Sequence, residues 1–157
     1  MKKMIEFMRR LNADPDLDTR AIIKRKDRYF LVTSQMRELK EDFFYAGTYL
    51  GKTRKGLFFP SFPLLSMISE KNANKVMINR RAEWLFVCGR DLFGRGIVRT
   101  RGSSRRGDLT LVLNENGDCL GFGKIIHDLN EMKKGVAVKN IADVGDFLRR
   151  ERNADDR

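Results

Sequence analysis

One segment in the second half of this 157-residue chain limits the fold more than any other. The strand-like run 108–113 leads into Asn114-Glu115-Asn116-Gly117, and a second strand-like run, 120–126, contains glycines at 121 and 123. An Asn-Gly pair between two strand-like runs is the usual signal of a β-hairpin. Closely spaced glycines within a strand are typical of bulges and of tight corners in small barrels. The segment therefore predicts antiparallel pairing in a bent sheet and disfavours a parallel α/β fold.

The other predicted elements are short and alternate along the chain. Helices are predicted at 1–11, 35–42, 63–68, 81–88 and 143–148, the last with Asp143 as its N-cap. Strands are predicted at 21–24, 29–33, 43–52, 56–59, 75–78, 97–100 and 135–138. We therefore expect an α+β protein of two packed small domains, with an N-terminal, mainly antiparallel sheet and helices at 1–74. A mixed, barrel-like domain is expected at 75–152, followed by a short tail at 153–157.

Composition narrows the class of function. Apolar residues make up 41% of the chain and charged residues 34%, which favours a packed core over disorder. Lys and Arg total 32 against 21 Asp and Glu, so the net charge is +11 and a polyanionic partner is indicated. No apolar run approaches the roughly 20 residues that span a bilayer, and no helix pairs a basic face with a long apolar one. The first residues also lack the apolar stretch of a secretory signal. We expect a cytoplasmic protein without a membrane role.

Few residues suggest catalysis. Cys88 and Cys119 lie far apart without a CxxC motif, and His127 lies in a predicted turn. The segment 47–53 resembles a phosphate-binding P-loop, but it has three residues between its glycines where the motif needs four. Paired carboxylates and a Ser/His/Asp grouping do not stand out either. We therefore predict no catalytic residue, no cofactor, no metal and no enzymatic activity.

Arginines carry the strongest functional signal. Eight of them lie between residues 80 and 106, where only Glu83 and Asp91 are acidic. A flexible basic loop around Gly102-Ser103-Ser104 could match phosphate oxygens through bidentate guanidinium contacts. Further arginines extend the final helix at its C-terminal end, where the helix dipole also favours cations. The predicted RNA-binding residues are Arg99, Arg101, Arg105, Arg106, Arg149, Arg150 and Arg152.

From residue 75 onward, the order of elements and several short motifs resemble the PUA domain, an RNA-binding module named for pseudouridine synthases and archaeosine transglycosylases. With the first half included, the chain resembles the nuclear import protein seven family of large-subunit ribosome-biogenesis factors, in its archaeal form. This resemblance covers about residues 44–150. The residues that carry it are Gly47-Thr48, Gly51-Lys52, Lys75-Val76, Ile78, Ala82-Glu83, Phe86, Gly89, Gly96, Leu120-Gly121-Phe122-Gly123, Ala142-Asp143-Val144-Gly145 and Phe147-Leu148-Arg149.

The resemblance implies a non-catalytic RNA-binding protein of ribosome biogenesis or RNA processing. It implies contact with RNA through the PUA domain, near a final helix in which Arg149 and Arg150 occupy the matching positions. The implied partners are single-stranded RNA, uridine-rich in the archaeal relatives, or precursor ribosomal RNA, together with the RNA exosome or ribosome-assembly proteins. Two alternatives stay open: an RNA-modification enzyme or its accessory subunit, and a protein scaffold without direct RNA contact.

Overall fold

The computed structural model describes residues 1–14, 17–38, 47–131, 134–146 and 149, and its strands form two sheets. The helices are α1 (Lys2–Arg10), α2 (Ser34–Glu38), α3 (Phe62–Ser69) and α4 (Arg80–Val87). The strands are β1 (Ile22–Arg25), β2 (Arg28–Leu31), β3 (Thr48–Arg54), β4 (Leu57–Pro60), β5 (Lys75–Ile78), β6 (Leu92–Phe93), β7 (Ile97–Arg101), β8 (Leu109–Leu113), β9 (Cys119–Ile125) and β10 (Val136–Asp143). The predicted α+β class is confirmed.

The first sheet has the order β1-β2-β3-β4, and every neighbouring pair in it is antiparallel. Lys55 and Gly56 have positive φ values of 49° and 74°, which is the backbone of a two-residue hairpin turn. Strand β3 therefore continues to Arg54, and Gly56 belongs to the turn, whereas the sequence places it in the following strand. The predicted segments 39–42 and 43–46 lie outside the described residues.

The second sheet has the order β6-β10-β9-β8-β5-β7, and it is mixed because β5 runs parallel to β8. Strands β8 and β9 form the predicted hairpin, with register shifts where β9 meets each of its neighbours. A Cβ atom at Gly121 would strike the carbonyl oxygen of Ala142 in β10, so glycine is required for this close approach. The bent, barrel-like sheet expected from the glycine pattern is confirmed.

The final predicted helix begins at Val144, and its N-cap is the predicted one. The Asp146 N–H donates to Oδ1 of Asp143 over 2.8 Å. Strand β10 reaches Asp143, five residues beyond the predicted end of this strand at 138. It continues because its residues from 138 to 143 pair with β9, a contact that local sequence does not encode.

Two apolar clusters fill the interior, and the larger one joins the two halves of the chain. Helix α1 contributes Phe7, whose ring meets that of Phe122 in β9 edge-on at a centroid distance of 5.2 Å. Strand β8 is buried on both faces, because Leu111 enters this cluster while Val112 enters the second cluster inside the curled sheet. Helices α1 and α3 therefore cover the outer face of the second sheet. The domain boundary after residue 74 stays a prediction.

Candidate nucleic-acid interface

The predicted residues Arg99 and Arg101 lie on β7, which is an edge strand of the second sheet. Arg99 stands opposite Met77 and Arg101 opposite Lys75, so the two arginines point to the same face of the strand. Both are exposed, and neither guanidinium has a polar partner among the described residues. Burial, with a smaller contribution from Arg101, lowers the pKa of the Lys75 amine, which donates to the Ser69 carbonyl. The edge of the sheet is thus strongly cationic.

The strand is followed by the segment 102–108, which we call the arginine loop because it carries Arg105 and Arg106. The sequence predicts a flexible loop, whereas the structure anchors it on two sides. The Ser104 carbonyl accepts from the Leu129 N–H over 3.0 Å, and the Ser104 hydroxyl oxygen accepts from Nδ2 of Asn130 over 2.7 Å. These hydrogen bonds hold the outer side of the loop, and the inner side rests on a single buried residue.

That residue is Asn74, which is 2% exposed and uses all of its polar groups except one amide hydrogen. Its Oδ1 accepts from the Ser103 N–H over 2.8 Å, and its Nδ2 donates to the Leu109 carbonyl over 3.1 Å. Its backbone N–H donates to the Leu11 carbonyl at the end of α1, and its carbonyl accepts from the Leu111 N–H. One asparagine therefore fixes the end of α1 relative to the arginine loop.

The end of α1 and the arginine loop form the two walls of an open, polar cleft of about 530 Å³, which we call the junction cleft. It is lined by Arg9, Arg10, Asn12, Asn74, Gly102, Ser103, Ser104, Arg105 and Asp108. The guanidinium groups of Arg9, Arg10 and Arg105 are exposed and have no ion-pair or hydrogen-bond partner in the described part of the chain. Of the predicted residues, Arg105 lines this cleft. Arg106 is exposed in the same loop but is not part of the lining.

Sequence reasoning missed Arg9 and Arg10. Both occupy the last turn of α1, where arginines ordinarily complement the helix dipole, so the local pattern contains no sign of a binding site. Only the packing of α1 against the second sheet brings them to a loop more than ninety residues later in the chain.

Arg149 has a different environment from the other predicted arginines. Its Nη2 contacts both carboxylate oxygens of Asp143 at 3.1 and 3.2 Å, and its Nη1 donates to the Val87 carbonyl over 2.7 Å. The Asp143 side chain is only 4% exposed, against 44% for Arg149. We call this arrangement the Arg149 clamp, because it joins the start of the final helix to the end of α4. Arg150 and Arg152 lie outside the described residues, so their predicted role is untested.

A second group of exposed side chains lies at the other end of β7. Arg95 stacks over the Phe93 ring with its Cζ 5.5 Å from the ring centroid, and Phe93 is 41% exposed. Trp84 on α4 is 71% exposed. A cleft of about 260 Å³, which we call the aromatic cleft, opens here. Its lining is Asn79, Arg81, Ala82, Leu85, Asp91, Leu92, Phe93, Arg95 and Gly96.

The exposure of Trp84 was readable from the sequence in principle. Ala82 and Phe86 are the buried residues of α4, and a residue midway between an i, i+4 pair faces the opposite side of a helix. A tryptophan on the solvent-exposed face of a helix is unusual, and exposed tryptophans are typical of binding sites.

The remaining candidate motifs have ordinary structural roles. Residues 48–53 of the P-loop-like segment lie in β3, which continues into an antiparallel hairpin and not into the helix that follows a phosphate loop. His127 is exposed after β9, with Nδ1 3.0 Å from the Val136 carbonyl oxygen. Within the described residues, no three His, Cys, Asp or Glu side chains are grouped to hold a metal ion. Nor is any described helix long and apolar enough to cross a membrane.

Comparison with known proteins places the second half in a defined family. The sequence model of the UPF0113 PUA domain matches residues 74–152. A UPF0113 protein of Archaeoglobus fulgidus is 30% identical over 112 residues, which are 69% of this chain and 63% of that protein. The chain thus spans less than two thirds of this curated relative.

Two solved structures resemble nearly the whole chain. A conserved PUA domain protein from Thermoplasma acidophilum is 26% identical, with a TM-score of 0.63 over 96% of this chain and 92% of that one. A hypothetical protein from Pyrococcus horikoshii shares the fold at 19% identity, with a TM-score of 0.61 over 96% and 95% of the two chains. Both likenesses include the N-terminal half as well as the PUA domain.

Proposed function

The chain belongs to the UPF0113 PUA domain family, and on this premise we propose that it is a non-catalytic protein that binds single-stranded RNA. The observation that carries the proposal is the course of β7. This strand is about 17 Å long, at about 3.3 Å per residue, and exposes Arg99 and Arg101 along one face. It begins beside the aromatic cleft and ends at the junction cleft. Cationic side chains therefore follow one another along a continuous edge of the molecule.

The residue types along this edge suit a single strand better than a duplex. The exposed ring of Phe93, in the aromatic cleft, offers a stacking surface for unpaired bases, while guanidinium groups contact the phosphates between them. In a duplex the bases are already stacked on one another and are not accessible to such rings. We propose that residues 75–152 form the RNA-binding domain, in line with the predicted boundary, and that Arg99, Arg101, Arg105 and Arg106 contact phosphates.

The test is equilibrium binding of labelled single-stranded RNA across a series of salt concentrations. Replacement of Arg99 and Arg101 by alanine should weaken binding and reduce the slope of log K against log salt by about 1.4, since each single-strand phosphate contact contributes about 0.7. The matched control is Lys52→Ala with Arg54→Ala, which removes the same charge at the same spacing from β3. An unchanged slope in the β7 variant would remove β7 from the interface. Absence of RNA binding at low salt would disprove the function itself and favour a protein scaffold.

We further propose that the RNA is uridine-rich or is precursor ribosomal RNA, and that the RNA exosome or ribosome-assembly proteins are the protein partners. Support for this finer assignment comes from the residues that resemble the nuclear import protein seven family. Uridine-rich, mixed and precursor ribosomal RNA of equal length should then differ in affinity, with the mixed sequence the weakest. Incubation of these RNAs with S-adenosylmethionine or ATP should leave them chemically unchanged, and a modified product would establish the RNA-modification alternative.

A further inference from the structure

The junction cleft is built by both halves of the chain and lies beyond the end of β7. Arg9 and Arg10 come from α1, and Arg105 comes from the arginine loop. Arg9 and Arg10 lie outside the residues 74–152 that match the PUA family model, whereas Arg105 lies inside them, so the family match alone does not account for the cleft. The cleft therefore needs an explanation of its own, and that explanation rests on the proposed RNA-binding function.

Both walls of the cleft are held in place by hydrogen bonds within the protein. Asn74 hydrogen-bonds to Leu11 at the end of α1 and to Ser103 in the loop, so the two walls share one buried anchor. A Cβ atom at Gly102, where φ is 81°, would collide with Oδ1 of this asparagine, so the loop depends on glycine for its close approach. Pre-organised walls of this kind reduce the entropy that a ligand loses on binding.

The lining is suited to an anion that carries more than one negative charge. It contains three arginines and one carboxylate, Asp108, which accepts a hydrogen bond from the Ser103 hydroxyl, so its formal charge is 3 − 1 = +2. The Ser104 hydroxyl oxygen already accepts from Asn130, which leaves its own proton free to donate to a ligand. A phosphodiester carries one negative charge, whereas a phosphomonoester carries about 1.5 to 2 at neutral pH. The charge of the cleft therefore matches a monoester better.

The size of the cleft is consistent with more than a bare phosphate. Its volume of about 530 Å³ falls in the range of about 300–1,000 Å³ that is typical of small-molecule sites. A terminal nucleotide together with its phosphate would occupy such a space. An internal phosphate of a strand would instead require the chain to enter and leave along the protein surface, as it does along β7.

We infer that the junction cleft binds a phosphomonoester and that it receives the phosphorylated end of an RNA strand lying along β7. Arg9, Arg10 and Arg105 surround the terminal phosphate, while Arg99 and Arg101 hold the internal ones. The protein thereby distinguishes RNA ends that carry a phosphate from ends that carry a hydroxyl.

The experiment uses one RNA decamer in three forms, with a 5′-phosphate, with a 3′-phosphate, or with hydroxyls at both ends. The full-length protein should bind one phosphorylated form at least about tenfold more tightly than the hydroxyl form, since charge-assisted hydrogen bonds of the terminal group are lost. Replacement of Arg9 and Arg10 by alanine should abolish this preference. The control Lys2→Ala with Lys3→Ala removes the same charge from the other end of α1 and should keep it.

The outcomes separate this inference from the proposed function. Equal binding of all three forms by the full-length protein would overturn the inference and leave RNA binding intact, while absence of all binding would overturn both. Replacement of Arg99 and Arg101 should weaken the three forms by the same factor. A nucleoside monophosphate or inorganic phosphate should compete away only the end preference. If either ligand binds and the RNA forms remain equal, the cleft holds a free phosphate compound and the assignment to RNA ends is wrong.

Discussion

The Arg149 clamp and the junction cleft use arginine in opposite ways. In the clamp, the guanidinium is bound to a buried carboxylate and a backbone carbonyl, so it belongs to the hydrogen-bond network of the fold. In the junction cleft, the backbone of Asn74 binds the end of α1 and its uncharged side chain binds the arginine loop, while the guanidiniums of Arg9, Arg10 and Arg105 have no partner in the described part of the chain. A neutral anchor leaves the cations available, whereas a cationic anchor is already neutralised. Equal charge in the sequence therefore does not mean equal capacity to bind an anion.

The largest expected effect is that of Asn74→Ala. The substitution leaves the Ser103 N–H and the Leu109 carbonyl without their partner, and we expect a loss of about 3 kcal/mol in the free energy of unfolding. Urea denaturation measures this loss, with Asn130→Ala as a control that removes one exposed hydrogen bond of the same loop. If both substitutions cost the same, Asn74 is not the anchor of the cleft.

A smaller loss is expected for Arg149→Ala. Asp143 would remain buried without its cation, but Arg149 itself is 44% exposed, so we expect about 2 kcal/mol rather than the 3–5 kcal/mol of a fully buried pair. Arg90→Ala, an exposed arginine near the same end of α4, is the control and should be neutral in urea denaturation. A variant as stable as the wild type would show that the clamp does not support the fold. If Arg149→Ala does lose stability, the RNA contact predicted for Arg149 has to be measured under conditions in which the variant remains folded.

The smallest effect on stability should come from the junction cleft itself. Replacement of Arg9 and Arg10 by alanine should change the free energy of unfolding by less than about 1 kcal/mol, because both side chains are exposed and unpaired in the described structure and only their attraction to the dipole of α1 is lost. Urea denaturation measures this change. A larger loss of stability would mean that these two arginines support the fold as Arg149 does. The comparison between the two regions would then no longer hold.

The elements that were predicted well depend on neighbours in the chain. The hairpin of β8 and β9 follows from its Asn-Gly turn and the strand-like runs beside it. The Asp143 cap needs only the backbone N–H of Asp146, three residues later. The predicted ends of β10 and β3 were less accurate, because pairing with neighbouring strands extends each strand beyond the residues whose local sequence favours it.

The same distinction, between what nearby residues determine and what distant residues determine, applies to the functional residues. That this chain folds into an α+β protein with a strongly cationic surface was determined by its sequence alone, since strand periodicity, turn residues and formal charge are properties of short segments. Tertiary structure alone decided which arginines are available, because a guanidinium is either neutralised or left free by residues far away in the chain. Arg149 donates to a carbonyl at position 87, whereas Arg9 and Arg10 line the same cleft as the loop at 102–108 without a polar partner in the described part of the chain. These contacts arise only when the core that joins the two halves has formed.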